Sequence, residues 1–299
     1  MNRGIGYAAG AYVLWGLLTI YWKSLHGVPA LEIMVHRMVW SLGFVLLLLA
    51  VRRRWTWLRP ALRNRRIMLT YTTSAVLLAG NWYTYIWAVN NNHIVEASLG
   101  YFITPLVSVV LGVLFLKERM RRNQGLAIGL AAAGVLFLTF VYGALPWIGL
   151  VIAATFSVYG LIRKTAALES VEGLTLETMV LFPLALGYML WQQAQGTAVF
   201  GHSTISTTML LVGAGAVTAP PLLLFAAGAR RIRLTTLGLL QYITPTIQFL
   251  LGIVLYHEAL STERLIGFAI IWLALILYSA EGLLYGQRAT TTLAPSATK

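Results

Sequence analysis

Long apolar runs separated by short polar segments dominate the pattern of hydrophobic and polar positions along this chain. A bilayer core of roughly 30 Å requires about 20 consecutive apolar residues in a helix. Runs of that length predict ten membrane-spanning helices, so we expect an all-α integral membrane protein. The predicted spans are 4–22, 31–51, 67–88, 94–116, 123–141, 145–162, 176–194, 207–228, 235–256 and 264–284.

Two of these spans share one pattern. Residues 98–118 (SLGYFITPLVSVVLGVLFLKE) and 238–258 (GLLQYITPTIQFLLGIVLYHE) align without gaps and share Ile-Thr-Pro, a later Gly and a final Glu. Ten spans in two copies leave five in each copy, and because five is odd, the second copy enters the membrane in the opposite direction. We therefore expect two inverted five-helix repeats, 1–143 and 144–285, around a central cavity, an architecture that recurs among secondary transporters. The polar tail, 286–299, is predicted to be a disordered cytoplasmic segment.

Basic residues are concentrated in alternate loops, which indicates the orientation of the chain in the membrane. With a cytoplasmic N-terminus, the outer loops carry only Lys23 and Arg264, and nearly all other Lys and Arg fall on the inner side. Both termini are therefore predicted to be cytoplasmic. The net charge of +13 is explained by these loops, so we do not expect nucleic-acid binding. Trp22, at the outer end of the first span, is interpreted as part of an interfacial aromatic belt.

Motifs that would support catalysis or metal binding are missing from the sequence. The chain has no Cys and no Asp, no GxxxxGK[ST] phosphate loop, and five His without ligand spacing. His257-Glu258 lacks the second His at position 261 that a zinc-protease helix needs. We therefore expect no enzyme, no catalytic residues, no metal and no cofactor.

One basic residue, Arg37, falls well inside a predicted span. A charge there costs at least ~2.5–3.5 kcal/mol on the insertion scale, so it should meet a partner or a water-filled cavity. Polar and aromatic residues inside the spans of both repeats are candidates to wall such a cavity. The candidate substrate-binding residues are Arg37, Trp40, Asn81, Trp82, Tyr85, Tyr101, Gln241 and Tyr242.

Each of these candidates also has a purely structural interpretation. Arg37 either binds the negative group of a substrate, forms a static ion pair with Glu96, or extends towards the outer surface. His36 is either a proton carrier or a hydrogen-bonded packing residue. Pro105 and Pro245, which are related by the repeat, are either mechanical hinges or simple bends.

Several segments that contain these residues resemble the sequences of a known protein family. They are HRMVWSLGF (36–44), NWYTYIWAVNNNHIVEASLGYFITPL (81–106), YGLIRK (159–164), VTAPPLLLF (217–225) and LGLLQYITPTIQFLLG (237–252). The chain resembles, over nearly its whole length, the RarD family of EamA-type permeases in the drug/metabolite transporter superfamily. The resemblance implies a ten-helix permease of the bacterial inner (plasma) membrane. The family name is tied to chloramphenicol sensitivity or resistance, and better-understood EamA relatives export amino acids and related metabolites.

The expected function is secondary active export of small amphipathic metabolites, such as amino acids or drug-like compounds, by alternating access. Small multidrug members of the superfamily exchange protons at a Glu in their first helix, but the first span here has no acidic residue, so that coupling is not carried over. The alternatives are an organic-anion or phosphate-ester exchanger with Arg37 as the fixed charge, a lipid flippase, or a membrane enzyme. The expected partners are membrane lipids and a small-molecule substrate, and the chain is expected to be a monomer or a homodimer.

Overall fold

The computed structural model describes residues 3–53, 55–91, 93–143, 145–257 and 262–291, and its regular structure there is entirely helical. Twelve helices are formed by these residues, which we number in chain order. They are α1 Arg3–Lys23, α2 Ala30–Arg52, α3 Leu58–Arg63, α4 Arg65–Asn90, α5 Ile94–Leu116, α6 Arg122–Tyr142, α7 Trp147–Thr165, α8 Ser170–Ala194, α9 Ile205–Ala229, α10 Leu234–Leu240, α11 Ile243–Val254 and α12 Thr262–Thr291.

Eight segments within the described ranges are long and apolar enough to cross a membrane, with α10 and α11 counted together. The chain is therefore an all-helical membrane protein. The two remaining predicted spans, 67–88 and 264–284, fall on α4 and α12, which are long helices of lower apolar content. Hydroxyl and amide side chains interrupt α4, and α12 contains the apolar stretch Leu265–Tyr278.

The tail predicted to be disordered, 286–299, is helical in its first part. α12 includes residues 286–291. Residues 292–299 lie outside the described ranges.

The predicted span 235–256 is not one helix. It divides into α10 and α11 at Gln241 and Tyr242, because Pro245 has no N–H to donate to the carbonyl of Gln241. That carbonyl instead accepts from the N–H of Thr244 at 3.1 Å, in the tighter i to i+3 pattern. Pro245 thus falls in the first turn of α11, where a proline is tolerated, whereas Pro105 lies inside the continuous helix α5.

The helices form one bundle in which elements from both halves of the sequence are interleaved. α1 packs against α9 and α11, and α2 packs against α8 and α9. α7 packs against α4 and α5, α8 also contacts α4, and α5 contacts α10. α6 and α12 pack chiefly against each other. Because partners from the two halves alternate, any central space is walled by both halves.

Large apolar side chains on the outside of the bundle mark the surface that lipid covers. Phe140, Leu184 and Leu126 are 81%, 77% and 71% exposed, although water would penalise such surface. Their exposure on helices of spanning length fits contact with the acyl chains of a bilayer.

Two carboxylates connect the two halves by accepting backbone hydrogen bonds. Glu32 on α2 accepts from the N–H groups of Val199 and Phe200, both at 2.9 Å. Glu118, just after α5, accepts from the N–H groups of Leu234 and Thr235 at 2.6 and 2.9 Å. The latter contact satisfies the first turn of α10, where free N–H groups and the helix dipole favour a negative charge.

Candidate functional site

A cavity of about 490 Å³ lies among α1, α2, α4, α5, α7, α9 and α11. That volume is in the range typical of small-molecule sites. Six of the eight predicted substrate-binding residues line it: Arg37, Asn81, Trp82, Tyr85, Tyr101 and Gln241. Pro245 also lines it, whereas the other predicted hinge, Pro105, lies outside.

Arg37 is held between two indole rings. Its guanidinium carbon lies 4.6 Å from the ring centroid of Trp22 and 4.4 Å from that of Trp82. Its Nε donates to the hydroxyl of Thr218 on α9 at 3.2 Å. Among the described residues that line the cavity, Arg37 is the single charged one. Cation–π contacts with two indole rings therefore offset part of the cost of placing this charge in the membrane.

Glu96 does not act as the partner of Arg37 in the described structure. Its carboxylate accepts from the N–H of Ile148 at 2.7 Å and from the hydroxyl of Tyr142 at 3.2 Å, and it lies 3.6 Å from Nδ1 of His93. No ion pair joins it to Arg37, although both residues are described. In this arrangement Glu96 caps the first turn of α7.

His36 and Trp40, the latter a predicted substrate-binding residue, are not among the residues that line the cavity. The Nε1 of Trp40 donates to Nδ1 of His36 at 3.0 Å, and the fully buried His36 ring packs 4.6 Å from that of Phe200. This geometry uses the lone pair of Nδ1, and a proton there would face the Trp40 N–H. The arrangement favours the packing interpretation of His36 over the proton carrier.

Tyr242 is also buried in the protein core and does not line the cavity. Its hydroxyl donates to the carbonyl of Phe102 at 3.1 Å and ties the junction of α10 and α11 to α5. Asn81 does reach the cavity wall, but its amide also donates to the carbonyl of Ile152 at 2.8 Å and to the hydroxyl of Thr155 at 3.0 Å. Asn81 therefore fixes α4 against α7 as well as presenting a polar edge.

Several cavity residues were not among the predicted ones. Trp22, interpreted from the sequence as part of an interfacial belt, instead stacks on Arg37 and lines the cavity. It belongs to one face of α1 with Tyr12, Trp15 and Thr19, at spacings of three, four and three residues. This helical spacing of polar and aromatic side chains is visible in the sequence and would have predicted that they share one face of the helix. Thr218 had no such signal, because its contact depends on how α9 packs against α2.

Packed aromatic rings form one part of the cavity wall, which we call its aromatic floor. Tyr12, Trp15 and Phe156 line its floor. Beneath them, Phe225 packs against all three, at centroid distances of 5.3–6.1 Å, and stacks on Tyr159 at 5.8 Å with an interplanar angle of 12°. On this side α10 also meets α5 closely, since a Cβ on Gly238 would lie 2.8 Å from the carbonyl oxygen of Pro105.

Below the aromatic floor lies a buried ion pair on α7 and α8. Arg163 and Glu177 are 2% and 1% exposed, with 3.5 Å between Nη1 and Oε1. Glu177 also accepts from the hydroxyls of Ser74 at 2.6 Å and Tyr159 at 3.4 Å. Nη2 of Arg163 donates to the carbonyl of Ser170 at 3.0 Å. This network joins α4, α7 and α8 in the half of the bundle that the cavity does not reach.

The cavity wall is mostly apolar and neutral polar, with one charged side chain among the described residues. The described part of the chain contains no group of three His, Asp or Glu that could hold a metal ion. The wall combines one guanidinium with aromatic rings, aliphatic groups and the neutral polar ends of side chains such as Gln241 and Gln248. Such a wall fits a small molecule with an apolar body and an anionic group.

Comparison with known proteins identifies the family. The model of the EamA-like transporter family matches residues 2–140. Protein RarD of Streptomyces exfoliatus is 47% identical over 99% of this chain and 94% of its own length. Protein RarD of Escherichia coli K12 is 44% identical over 97% of this chain and 98% of its own length.

The chain belongs to the RarD family of EamA-like transporters. A more distant RarD of Pseudomonas aeruginosa, described as a chloramphenicol-sensitive protein, is 30% identical over 92% of this chain. A solved crystal structure with 21% identity covers 93% of this chain with a TM-score of 0.71, which shows a shared fold. The RarD resemblance expected from the sequence is thus confirmed, as is a multi-pass bacterial membrane protein.

Proposed function

We propose that this RarD-family chain is a secondary transporter that exports small amphipathic molecules carrying an anionic group. The observation that carries the proposal is the cavity walled by both halves of the chain, with Arg37 as its charged residue. A single buried cation in an otherwise neutral wall attracts a single negative charge, because the low local dielectric strengthens their interaction. Aromatic and aliphatic groups around it accommodate the apolar part of the same molecule.

Two inverted repeats form the second part of the proposal. Support comes from helices that begin 140 residues apart, at Ala30 and Ser170, at Ile94 and Leu234, and at Arg122 and Thr262. The packing partners correspond in the same way: α1 contacts α9 as α7 contacts α4, and α2 contacts α9 as α8 contacts α4. A pseudo-two-fold relation of this kind is the usual basis of alternating access around a fixed site.

The two ends of the repeat interface differ, which supports alternating access. By the offset of 140 residues, Gly238 corresponds to Ser98, and Pro105 corresponds to Pro245. Gly238 packs closely against Pro105, whereas Ser98 and Pro245 both line the open cavity. One end of the interface is thus closed and its counterpart is open. With the orientation predicted from the basic loops, the open end faces outwards, and transport would alternate by exchanging these two arrangements.

Counterflow in proteoliposomes tests the function. The purified chain is reconstituted into vesicles that are loaded with an unlabelled compound, and entry of the labelled form of the same compound is followed. The compounds tested are amino acids, aromatic carboxylates, phosphate monoesters and chloramphenicol. We expect saturable counterflow for at least one anionic amphipathic compound, and its loss in Arg37→Ala. The control variant Arg65→Ala removes an exposed charge at the start of α4 and should transport normally. Counterflow by a folded Arg37→Ala protein equal to that of the wild type would overturn the role of Arg37.

A further inference from the structure

We infer that Trp22, Trp82 and Thr218 are positioning residues that make this cavity select a planar carboxylate over a phosphate monoester. The inference deepens the proposed function and rests on it, since it specifies the anionic group that Arg37 receives. It concerns two residues that the sequence did not predict, Trp22 and Thr218, and it separates two substrate classes that a lone arginine would leave equivalent.

The donors of Arg37 are restricted by its neighbours. Indole rings of Trp22 and Trp82 lie near its guanidinium carbon, at 4.6 and 4.4 Å from their centroids, and the Nε–H is used by Thr218. Within the described residues, no hydrogen-bond partner is found for the two Nη groups, and Arg37 lines the cavity. The edge formed by the Nη groups is therefore the part of the guanidinium available to a ligand.

This restriction favours a planar anion with one charge. A carboxylate and a phosphate can both accept two parallel hydrogen bonds from a guanidinium, but only a carboxylate lies wholly in the guanidinium plane when it does so. Two indole rings close to the guanidinium carbon restrict the directions from which a bulkier group can approach it. A phosphate monoester is tetrahedral and carries about −1.5 to −2 charges near pH 7, by analogy with phosphorylated side chains. One cation would leave part of that charge buried and unpaired.

The rest of the wall suits the body of an aromatic or aliphatic carboxylate. Tyr85 and Tyr101 pack edge to face, with ring centroids 5.8 Å apart, and both line the cavity. On the opposite part of the wall, the amide of Gln248 donates to the hydroxyl of Thr19 at 3.3 Å. These groups offer apolar surface and neutral hydrogen-bonding edges, and no second charge from a described lining residue competes for the ligand.

Binding to the purified chain in detergent tests the inference, with phenylacetate and phenyl phosphate as matched probes measured by calorimetry. The wild type should bind phenylacetate at least about tenfold more tightly than phenyl phosphate. Trp22→Leu and Trp82→Leu should each weaken phenylacetate binding about tenfold and reduce the preference between the probes. Thr218→Val should also reduce the preference, because it frees the guanidinium to rotate. Trp22→Phe, which keeps an aromatic face, should retain most of the preference.

The control variant Trp191→Leu removes an exposed tryptophan outside the cavity and should bind both probes like the wild type. If Trp22→Leu does not fold, Trp22→Phe and Thr218→Val still test the inference through the ratio of the two affinities. Phenylacetate binding that requires Arg37 but keeps an unchanged preference in the Trp22 and Trp82 variants would overturn the inference and leave the transporter proposal intact. Equal affinities of the wild type for the two probes would also overturn it. Selective binding without counterflow of any probe would refute transport and uphold the selectivity.

Discussion

The buried pair of Arg163 and Glu177 gives a sharp test of how the closed half is held together. Glu177→Gln keeps the shape of the side chain, and its amide oxygen can still accept from Ser74. The change leaves the guanidinium of Arg163 buried, at 2% exposure, without an opposing charge. Breaking a buried pair in this way costs about 3–5 kcal/mol, mainly through the stranded charge.

We expect the low end of that range, about 3 kcal/mol, because the Ser74 hydroxyl can donate to the new amide oxygen and Arg163 can still donate to Ser170. The measurement is the free energy of unfolding in detergent micelles by denaturant titration. The double variant Glu177→Gln with Arg163→Met removes both charges and should recover most of the loss, which gives a favourable coupling energy between the two sites. Glu263→Gln, at an exposed glutamate in the first turn of α12, is the control and should change stability by less than about 0.5 kcal/mol.

A functional readout separates general stability from gating. Under the proposed alternating access, loss of the pair, which lies beyond the aromatic floor, should favour opening of that side. A single cysteine at buried Ser157, whose hydroxyl donates to the carbonyl of Thr104 at the cavity wall, should react faster with a maleimide in the Glu177→Gln background. An unfolding free energy of Glu177→Gln within about 1 kcal/mol of the wild-type value, together with no recovery in the double variant, would contradict this reasoning. It would show that the pair does not hold α7 to α8.

Three further predictions concern topology, hinges and capping. Single cysteines at Arg59 and Asn91, in a chain without native Cys, should be labelled by an impermeant maleimide from outside intact cells only at position 91; the reverse pattern would invert the orientation. Pro105→Ala and Pro245→Ala should leave the fold intact but slow counterflow. Unchanged transport in both single variants and in the double variant would show that the prolines only shape helix packing. Glu118→Gln should cost about 1–3 kcal/mol of unfolding free energy, because an amide oxygen replaces a carboxylate that accepts two backbone hydrogen bonds; an unchanged unfolding curve would contradict this.

Features set by local composition were predictable from the sequence. The helical segments were found because a membrane span needs a long apolar run, and Arg37 was noticed because a charge inside such a run must be compensated. Arg37 and five of the residues expected near it do line one cavity. The position of the helix break before Pro245 was harder to predict. The sequence shows the proline, but the break lies at Gln241, whose carbonyl receives no hydrogen bond from position 245.

Features set by packing between distant helices were not predictable. Glu96 and Arg37 were candidates for an ion pair because both are charged and both lie near the outer ends of their spans. The structure instead places Glu96 against the first turn of α7, where the N–H of Ile148 satisfies it, and Arg37 between two tryptophans. Both solutions satisfy the same requirement, that a buried charge be compensated, but they use different partners. The sequence therefore identified which groups needed partners, and only the arrangement of α1, α2, α4, α7 and α9 decided that the backbone of α7 satisfies Glu96 while two tryptophans and Thr218 surround Arg37.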